Sequence, residues 1–232
     1  MKKIQVMIFA SVCMLIMATS CSVGSDSNSN PDQGQFLLAN ISPDAPPLSV
    51  NINGSSFGAG LSYGLYTQYY AATAGSYQFA FYGTGSAPVL TNTVNIETSK
   101  RYSYFVIDSF SKLKSSFVED KLVQPGADSV YVRFFNFSPN AGPVNLYDSA
   151  SNANWYSTRY FNDEAGIPTY KDFTRYKAGI YTFRITQPDG TVLTTRKDTL
   201  AGGAIYSLYA KGFAGGTAGK EINLGQVIHY KP

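Results

Sequence analysis

From residue 36 onward the chain is written in short apolar and aromatic runs of four to eight residues. Gly, Pro, Asn and Asp break them, and no apolar period of 3.6 is sustained. Leu48-Ser49-Val50-Asn51-Ile52-Asn53 alternates apolar with polar, as a strand with one face in a core and one in water does. Asn53-Gly54 then supplies a turn dipeptide. Phe36–Ala39 and Val130–Phe135 are extended apolar runs that stop before Ser42-Pro43 and Ser138-Pro139, because proline cannot donate to a ladder. Asp44 and Asn140 follow with short side chains suited to bonding nearby backbone amides in a turn. After Gly75 and Gly179, the sets Tyr77, Phe79, Phe81 and Tyr181, Phe183, Ile185 each fall on one strand face. Tyr102–Asp108 and Ile205–Ala210 read as near-continuous apolar strands, which predicts central positions in their sheets.

These elements come in two sets. Asn40-Ile41-Ser42-Pro43-Asp44-Ala45-Pro46-Pro47 returns 96 residues later as Asn136-Phe137-Ser138-Pro139-Asn140-Ala141-Gly142-Pro143. Ala74-Gly75-Ser76-Tyr77-Gln78-Phe79 returns 104 residues later as Ala178-Gly179-Ile180-Tyr181-Thr182-Phe183, and Tyr66/Tyr170 and Tyr102-Ser103/Tyr206-Ser207 keep that offset. The reading is one unit written twice, the second copy carrying eight extra residues between the matched blocks. Many short strands without helices predict an all-β chain of two tandem immunoglobulin-like sandwiches, at 36–122 and 130–232, joined in series by a linker at 123–129.

The Ser-Pro-Asp-Ala-Pro string at 42–46, the Ala-Gly-x-Tyr blocks and the aromatic Tyr102–Val106 strand resemble a family of exported domains of unknown function, common in Bacteroidota lipoproteins and often in tandem. The resemblance implies an immunoglobulin-like sandwich and a cell-envelope location, and brings no catalytic residues. Its motif is fuller in the first copy, since Asn140 and Gly142 replace an Asp and a Pro in the second.

The beginning of the chain says where it works. Lys2 and Lys3 precede an apolar run from Ile4 to Met17, interrupted by Gln5 and Ser11, and Ala18-Thr19-Ser20 leads into Cys21. The run falls short of the ~20 residues of a membrane span. It has the layout of a signal peptide, residues 1–20, cut before a cysteine that takes fatty acid. Residues 21–35 then form the lipidated Cys21 and a polar tether too poor in apolar side chains to fold, with a reach of roughly 20 Å. The expected location is the outer membrane, on its cell-surface or periplasmic face, with the membrane itself as first partner through the lipid anchor. Both cysteines, Cys13 and Cys21, lie in this segment, so no disulfide staples the body.

Charge excludes one class. The chain has 18 basic and 15 acidic residues, and loss of Lys2 and Lys3 with the leader brings it close to neutrality, which argues against a nucleic-acid partner. Catalytic chemistry is equally thin. The one histidine, His229, sits near the end in an expected last strand without a partner motif, and is read as solvent-facing or at an edge. Zinc and calcium sites need ligand sets that are missing, so neither metal nor cofactor is expected. Asp163-Glu164 is read as a solvated loop, and Gly215–Lys220 as a hairpin rather than a phosphate loop.

What remains are binding surfaces. Trp155, Tyr156, Tyr160 and Phe161 fall where the second copy carries its extra residues, beside Asn152, Asn154, Asn162 and Asp163. As exposed rings they would stack on a sugar or anchor a protein; as core rings they would fill the sandwich, the reading favoured for Tyr66 and Tyr170. Asp128-Ser129-Val130, Asp148-Ser149-Ala150 and Asp198-Thr199-Leu200 resemble short O-glycosylation sites, making Ser129, Ser149 and Thr199 candidates and Ser129 the most accessible, in the linker. The expectation is a non-enzymatic envelope lipoprotein with a structural, adhesion or assembly role and an envelope protein as partner, or a glycan-binding module using the second copy's aromatic loop.

Overall fold

The computed structural model describes residues 32–217 and 219–232. The leader, Cys21 and nearly all of the tether lie outside the described residues. Sixteen strands follow: β1 (Gln33–Asn40), β2 (Leu48–Ile52), β3 (Ser55–Leu61), β4 (Tyr70–Thr73), β5 (Gly75–Tyr82), β6 (Pro88–Ile96), β7 (Arg101–Ile107), β8 (Lys114–Glu119), β9 (Ser129–Asn136), β10 (Val144–Asp148), β11 (Ala153–Arg159), β12 (Thr174–Lys177), β13 (Gly179–Thr186), β14 (Val192–Leu200), β15 (Ile205–Lys211) and β16 (Asn223–Tyr230). The other regular elements among the described residues are three short 3-10 turns, Phe110–Lys112, Asp163–Ala165 and Pro168–Lys171. No described helix is long and apolar enough to cross a membrane.

The strands make four four-stranded sheets, and the same order occurs twice. The first half has β4-β1-β7-β8 and β3-β2-β5-β6; the second has β12-β9-β15-β16 and β11-β10-β13-β14. In each half the first strand runs parallel to the seventh, β1 to β7 and β9 to β15. The eight extra residues of the second half are divided. Two lengthen the β2–β3 turn, Asn53-Gly54, into the β10–β11 loop, and six enlarge the β3–β4 connection into the β11–β12 segment that holds two 3-10 turns. The short version works because Asn53 and Gly54 both adopt positive φ, 50° and 80°, the twist that a two-residue hairpin needs.

Local chemistry at the strand ends is duplicated as well. Asn40 accepts from Ser42 N at 3.0 Å and Asn136 from Ser138 N at 3.1 Å, so the Asn-x-Ser string folds back on itself as β1 and β9 end. Asp44 and Asn140 bond outward instead of locally. Asp44 accepts from Phe110 N at 2.7 Å and Asn140 from Ala214 N at 2.8 Å, each pinning the turn to the loop after the seventh strand.

Each half has its own core. Phe36, Leu48, Phe79, Phe81 and Tyr104 fill the first, and Val132, Phe134, Leu146, Phe183 and Leu208 the second. A third cluster joins Leu37, Ala39 and Phe105 of the first half to Phe135, Phe137 and Tyr209 of the second. Sheets β4-β1-β7-β8 and β12-β9-β15-β16 therefore pack on one another, and the four sheets stack as layers. That is why β1, β7, β9 and β15 read as continuous apolar runs: one face lies in a sandwich core and the other in the seam between the halves. In the seam Phe105 lies 5.0 Å from Phe137 and 5.8 Å from Phe135, centroid to centroid. Each such ring contributes about 1.5–3 kcal/mol of burial.

Three expectations change. The halves meet face to face instead of in series, because their inner sheets each carry a second apolar face that water would otherwise cover. The first strand begins at Gln33, inside the expected tether, since its polar start pairs through backbone with Ala71–Thr73. Ser129 belongs to β9 and is buried, with its carbonyl accepting from Gly203 N at 2.8 Å, so it lies in the second half and not in the linker.

Candidate functional site

The richest set of reactive side chains lies in the seam. Tyr69, Ser103 and Asp120 come from the first half; Arg133, Ser207 and His229 come from the second. Ser103 and Ser207 sit in the middle of β7 and β15 on the faces turned from the sandwich cores. Asp120 directly follows β8, and its amide is tied to Arg101 O at 2.7 Å. The side chains of Arg133, Asp120 and His229 are all 0 % exposed.

Their hydrogen bonds close a ring. Arg133 Nε donates to Ser207 Oγ at 2.7 Å, and Ser207 Oγ lies 2.6 Å from His229 Nε2. His229 Nδ1 lies 2.7 Å from the Tyr69 hydroxyl, which donates to Asp120 Oδ2 at 2.6 Å. Ser103 Oγ donates to the same carboxylate oxygen at 2.8 Å, and Arg133 Nη2 pairs with Asp120 Oδ1. One proton arrangement satisfies every member. The Tyr69 proton is spent on Asp120, so Tyr69 accepts from a protonated Nδ1. Ser207 accepts from the guanidinium, so its own proton goes to a bare Nε2. A neutral His229 protonated on Nδ1 fits both ends. Burial agrees, pushing the imidazole down to about 4 against the partial opposition of Asp120. Burial alone would raise the Asp120 carboxyl, but Arg133 and the donors around it outweigh that and hold it below the usual carboxylate range. Tyr69 is pushed up, by burial and then by Asp120.

Ser207, His229 and Asp120 have the composition of a hydrolytic triad but are arranged differently. His229 Nδ1 stands 3.8 Å from Asp120 Oδ2, with the Tyr69 hydroxyl hydrogen-bonded to both. Ser207 offers its oxygen to a guanidinium, in a place without solvent exposure. A nucleophile must present that oxygen to a substrate carbon. Here the set makes a neutral, internally satisfied joint: Arg133 is capped by Phe173 at 4.4 Å and Phe135 at 5.0 Å, and reaches Glu119 O and Lys171 O at 3.3 Å each.

His229 is thus buried, not solvent-facing. It lies on an edge strand of its own sheet, and the first half covers its face. The Asp163-Glu164 pair is a second correction. Asp163 holds Arg159 through both carboxylate oxygens, and Arg159 lies 3.8 Å above the Tyr170 ring. Glu164 is 0 % exposed and accepts from Ser116 Oγ of the first half at 2.6 Å, while its Oε2 has no partner. Burial raises the Glu164 carboxyl despite the Ser116 bond. The inserted segment closes over the seam and is not a solvated loop.

The four aromatic candidates are spread out. Trp155 lies flat on Tyr176, 3.6 Å between centroids and 4° between planes, with Tyr181 and Phe183 against its edges. Tyr156 packs on the second core and donates to Val132 O at 2.6 Å. Phe161 packs on the seam cluster beneath Lys114. Tyr160 stands out at 57 % exposure. Tyr170 is half-buried under Arg159, whereas Tyr66, expected in the core, is exposed at the seam's edge with its hydroxyl accepting from Ile228 N at 3.3 Å. Of the glycosylation candidates, Ser129 is buried and bonded to Gly126 O, Ser149 is half-buried, and Thr199 is exposed on β14. Cys21 lies outside the described residues.

Apart from His229, the chain's one histidine, composition did not single out the seam residues, yet signals for them exist. Ser103 and Ser207 are matched positions within otherwise apolar strands, and Arg133 is a cation inside Val130–Phe135. A charge in a strand buried on both faces requires a partner.

Comparison with known proteins meets this architecture part-way. Residues 34–147 match the family model described as "Domain of unknown function (DUF4397)", a match that runs from β1 into β10. A domain of that uncharacterised family is present there. No curated protein matches. Among solved structures, the Bacillus anthracis TIE protein is similar at 11% identity and a TM-score of 0.22, over 78% of this chain and 34% of that one. A streptococcal virulence factor described as binding alpha-glucan is similar at 13% identity and a TM-score of 0.25, over 76% of this chain and 92% of that one. The chain spans about a third of the length of the first of these.

Proposed function

We propose that the chain is a non-catalytic lipoprotein of the cell envelope, anchored in the outer membrane through fatty acids on Cys21, and that its body is a rigid structural, adhesion or assembly module. The observation that carries this reading is the fate of its reactive groups. Ser207, His229, Asp120 and Arg133 are consumed by one another in joining the halves. A closed polar ring inside a packed seam suits a part that must hold its shape while its outer loops meet a partner. Mass spectrometry of the protein from its native cells tests the anchor: acylated Cys21 as first residue supports it, and an unmodified Cys21 or a retained leader overturns it. Protease shaving of intact cells, combined with in-cell cross-linking, then tells the surface face from the periplasmic one and identifies the contacting envelope protein.

A glycan-binding role has one feature in its favour, the exposed Tyr160 ring on the second half. It requires glycan-array binding that falls at least tenfold in Tyr160→Ala, and an unchanged array profile removes it.

A further inference from the structure

The seam is made from equivalent positions of the two copies. The 104-residue offset of β7 and β15 makes Ser103 the counterpart of Ser207. The 96-residue offset of β1 and β9 makes Leu37 the counterpart of Arg133, and Ala39 that of Phe135. Strand register extends the match to the last strands. Ser103 lies opposite Val118 and Ser207 opposite Val227, so Asp120 and His229, each two residues further on, are counterparts. Those two meet across the seam, 3.8 Å apart. The halves therefore pack as an isologous pair does, each offering the other the same patch.

The patches match in position and differ in chemistry. Where the first half places the small Ala39, the second places the bulky Phe135. Where it places the neutral Leu37, the second places Arg133. Where it places the anionic Asp120, the second places a neutral His229. We propose that the seam is a mutually selective pairing surface: the inner face of a first half accepts the inner face of a second half and rejects a copy of itself, with Asp120 and Arg133 selecting by charge and Ala39 and Phe135 by size. Two first-half faces would bring two Asp120 carboxylates together without a guanidinium and leave space beside each Ala39. Two second-half faces would bury two Arg133 side chains without a carboxylate and crowd their phenylalanines. A buried ion pair gains little stability over an apolar one but penalises wrong partners severely. The partner that fits either face is the other half, in the same chain or in a second copy.

The test uses the full chain with a protease site inserted between Val123 and Gln124, both exposed, and cleaved after folding. Cleaved protein, unlabelled and 15N-labelled, is mixed and followed by native mass spectrometry, both directly and after unfolding and refolding together. Every complex is expected to hold one N-terminal and one C-terminal piece, with label exchanging only between unlike pairs. Pairs of N-terminal pieces are expected to rise at least tenfold in Asp120→Asn, which removes the like-charge penalty and keeps the side-chain shape. Like pairs as abundant as unlike ones in the unsubstituted protein would overturn the proposal. So would separation of the two pieces upon cleavage, or an Asp120→Asn protein with no gain in like pairs.

Discussion

Replacing Arg133 by Met isolates the contribution of the seam's charges. Met keeps a long apolar stem in the space between Phe135 and Phe173 but removes the guanidinium that pairs with Asp120 and donates to Ser207. Asp120 then retains only Tyr69 and Ser103 as side-chain donors, in a site without water contact. Breaking a buried pair by removing one partner costs about 3–5 kcal/mol. Two unit charges ~4 Å apart at an effective dielectric of ~20 give about 4 kcal/mol, in the same range. With a urea dependence of ~2–3 kcal/mol per molar, the midpoint should fall by roughly 1–2 M. Adding Asp120→Asn removes the stranded charge and should restore at least ~2 kcal/mol, so the two substitutions are strongly non-additive. The readout is convenient because Trp155 is the chain's one tryptophan and reports on the second half by fluorescence, while far-ultraviolet circular dichroism reports on both halves. The two curves should coincide in the unsubstituted protein and separate in Arg133→Met as the seam gives way first. A single-substitution loss under ~1 kcal/mol, or a double substitution no better than the single, would refute the claim that this ring holds a buried charge pair.

Acid should weaken the fold through His229: its value in the folded chain, about 4, lies below the ordinary 6.5, so its neutral form is favoured by folding. Stability is therefore full above ~6.5 and is lost as pH falls toward 4, by about 3 kcal/mol in all, and His229→Gln should flatten that slope in urea titrations across the window. Glu164 has the opposite sign: burial raises its carboxyl despite the Ser116 bond, so its contribution is full below the ordinary carboxylate range and is lost as pH rises through the raised value. Glu164→Gln should then raise the melting midpoint at pH 8 and leave it nearly unchanged at pH 4; a drop at pH 8 would mean that the carboxylate form is the one the seam needs. Trp155→Ala should cost about 2–4 kcal/mol by removing the ring stacked on Tyr176, measurable by calorimetry, where a purely surface role predicts under ~0.5 kcal/mol. Gly212→Ala should fail to fold properly or lose several kcal/mol, because φ is 89° there and a Cβ would collide with Glu221 O.

Much of the fold was legible in the residues. Alternation at Leu48–Ile52, the stops at Pro43 and Pro139, the Asn53-Gly54 turn and the doubled blocks are local signals, set by backbone geometry and side-chain period, and each reappears as a strand, a strand end or a matched unit. The central place of Tyr102–Ile107 in its sheet was readable too, from a run without polar alternation. That its second face is covered as well, and by what, was not readable. That depends on which of several apolar faces meet, a choice made by side chains more than a hundred residues apart, such as Tyr69 and His229. The same limit explains the corrections at His229, Glu164 and Ser129: polar residues look solvated until a distant partner is placed beside them. Local periodicity determined the strands and their duplication, because those depend on neighbours in the chain. Only the tertiary structure decided that the two copies close on each other around a buried charge, because burial and hydrogen-bond satisfaction belong to the packed whole.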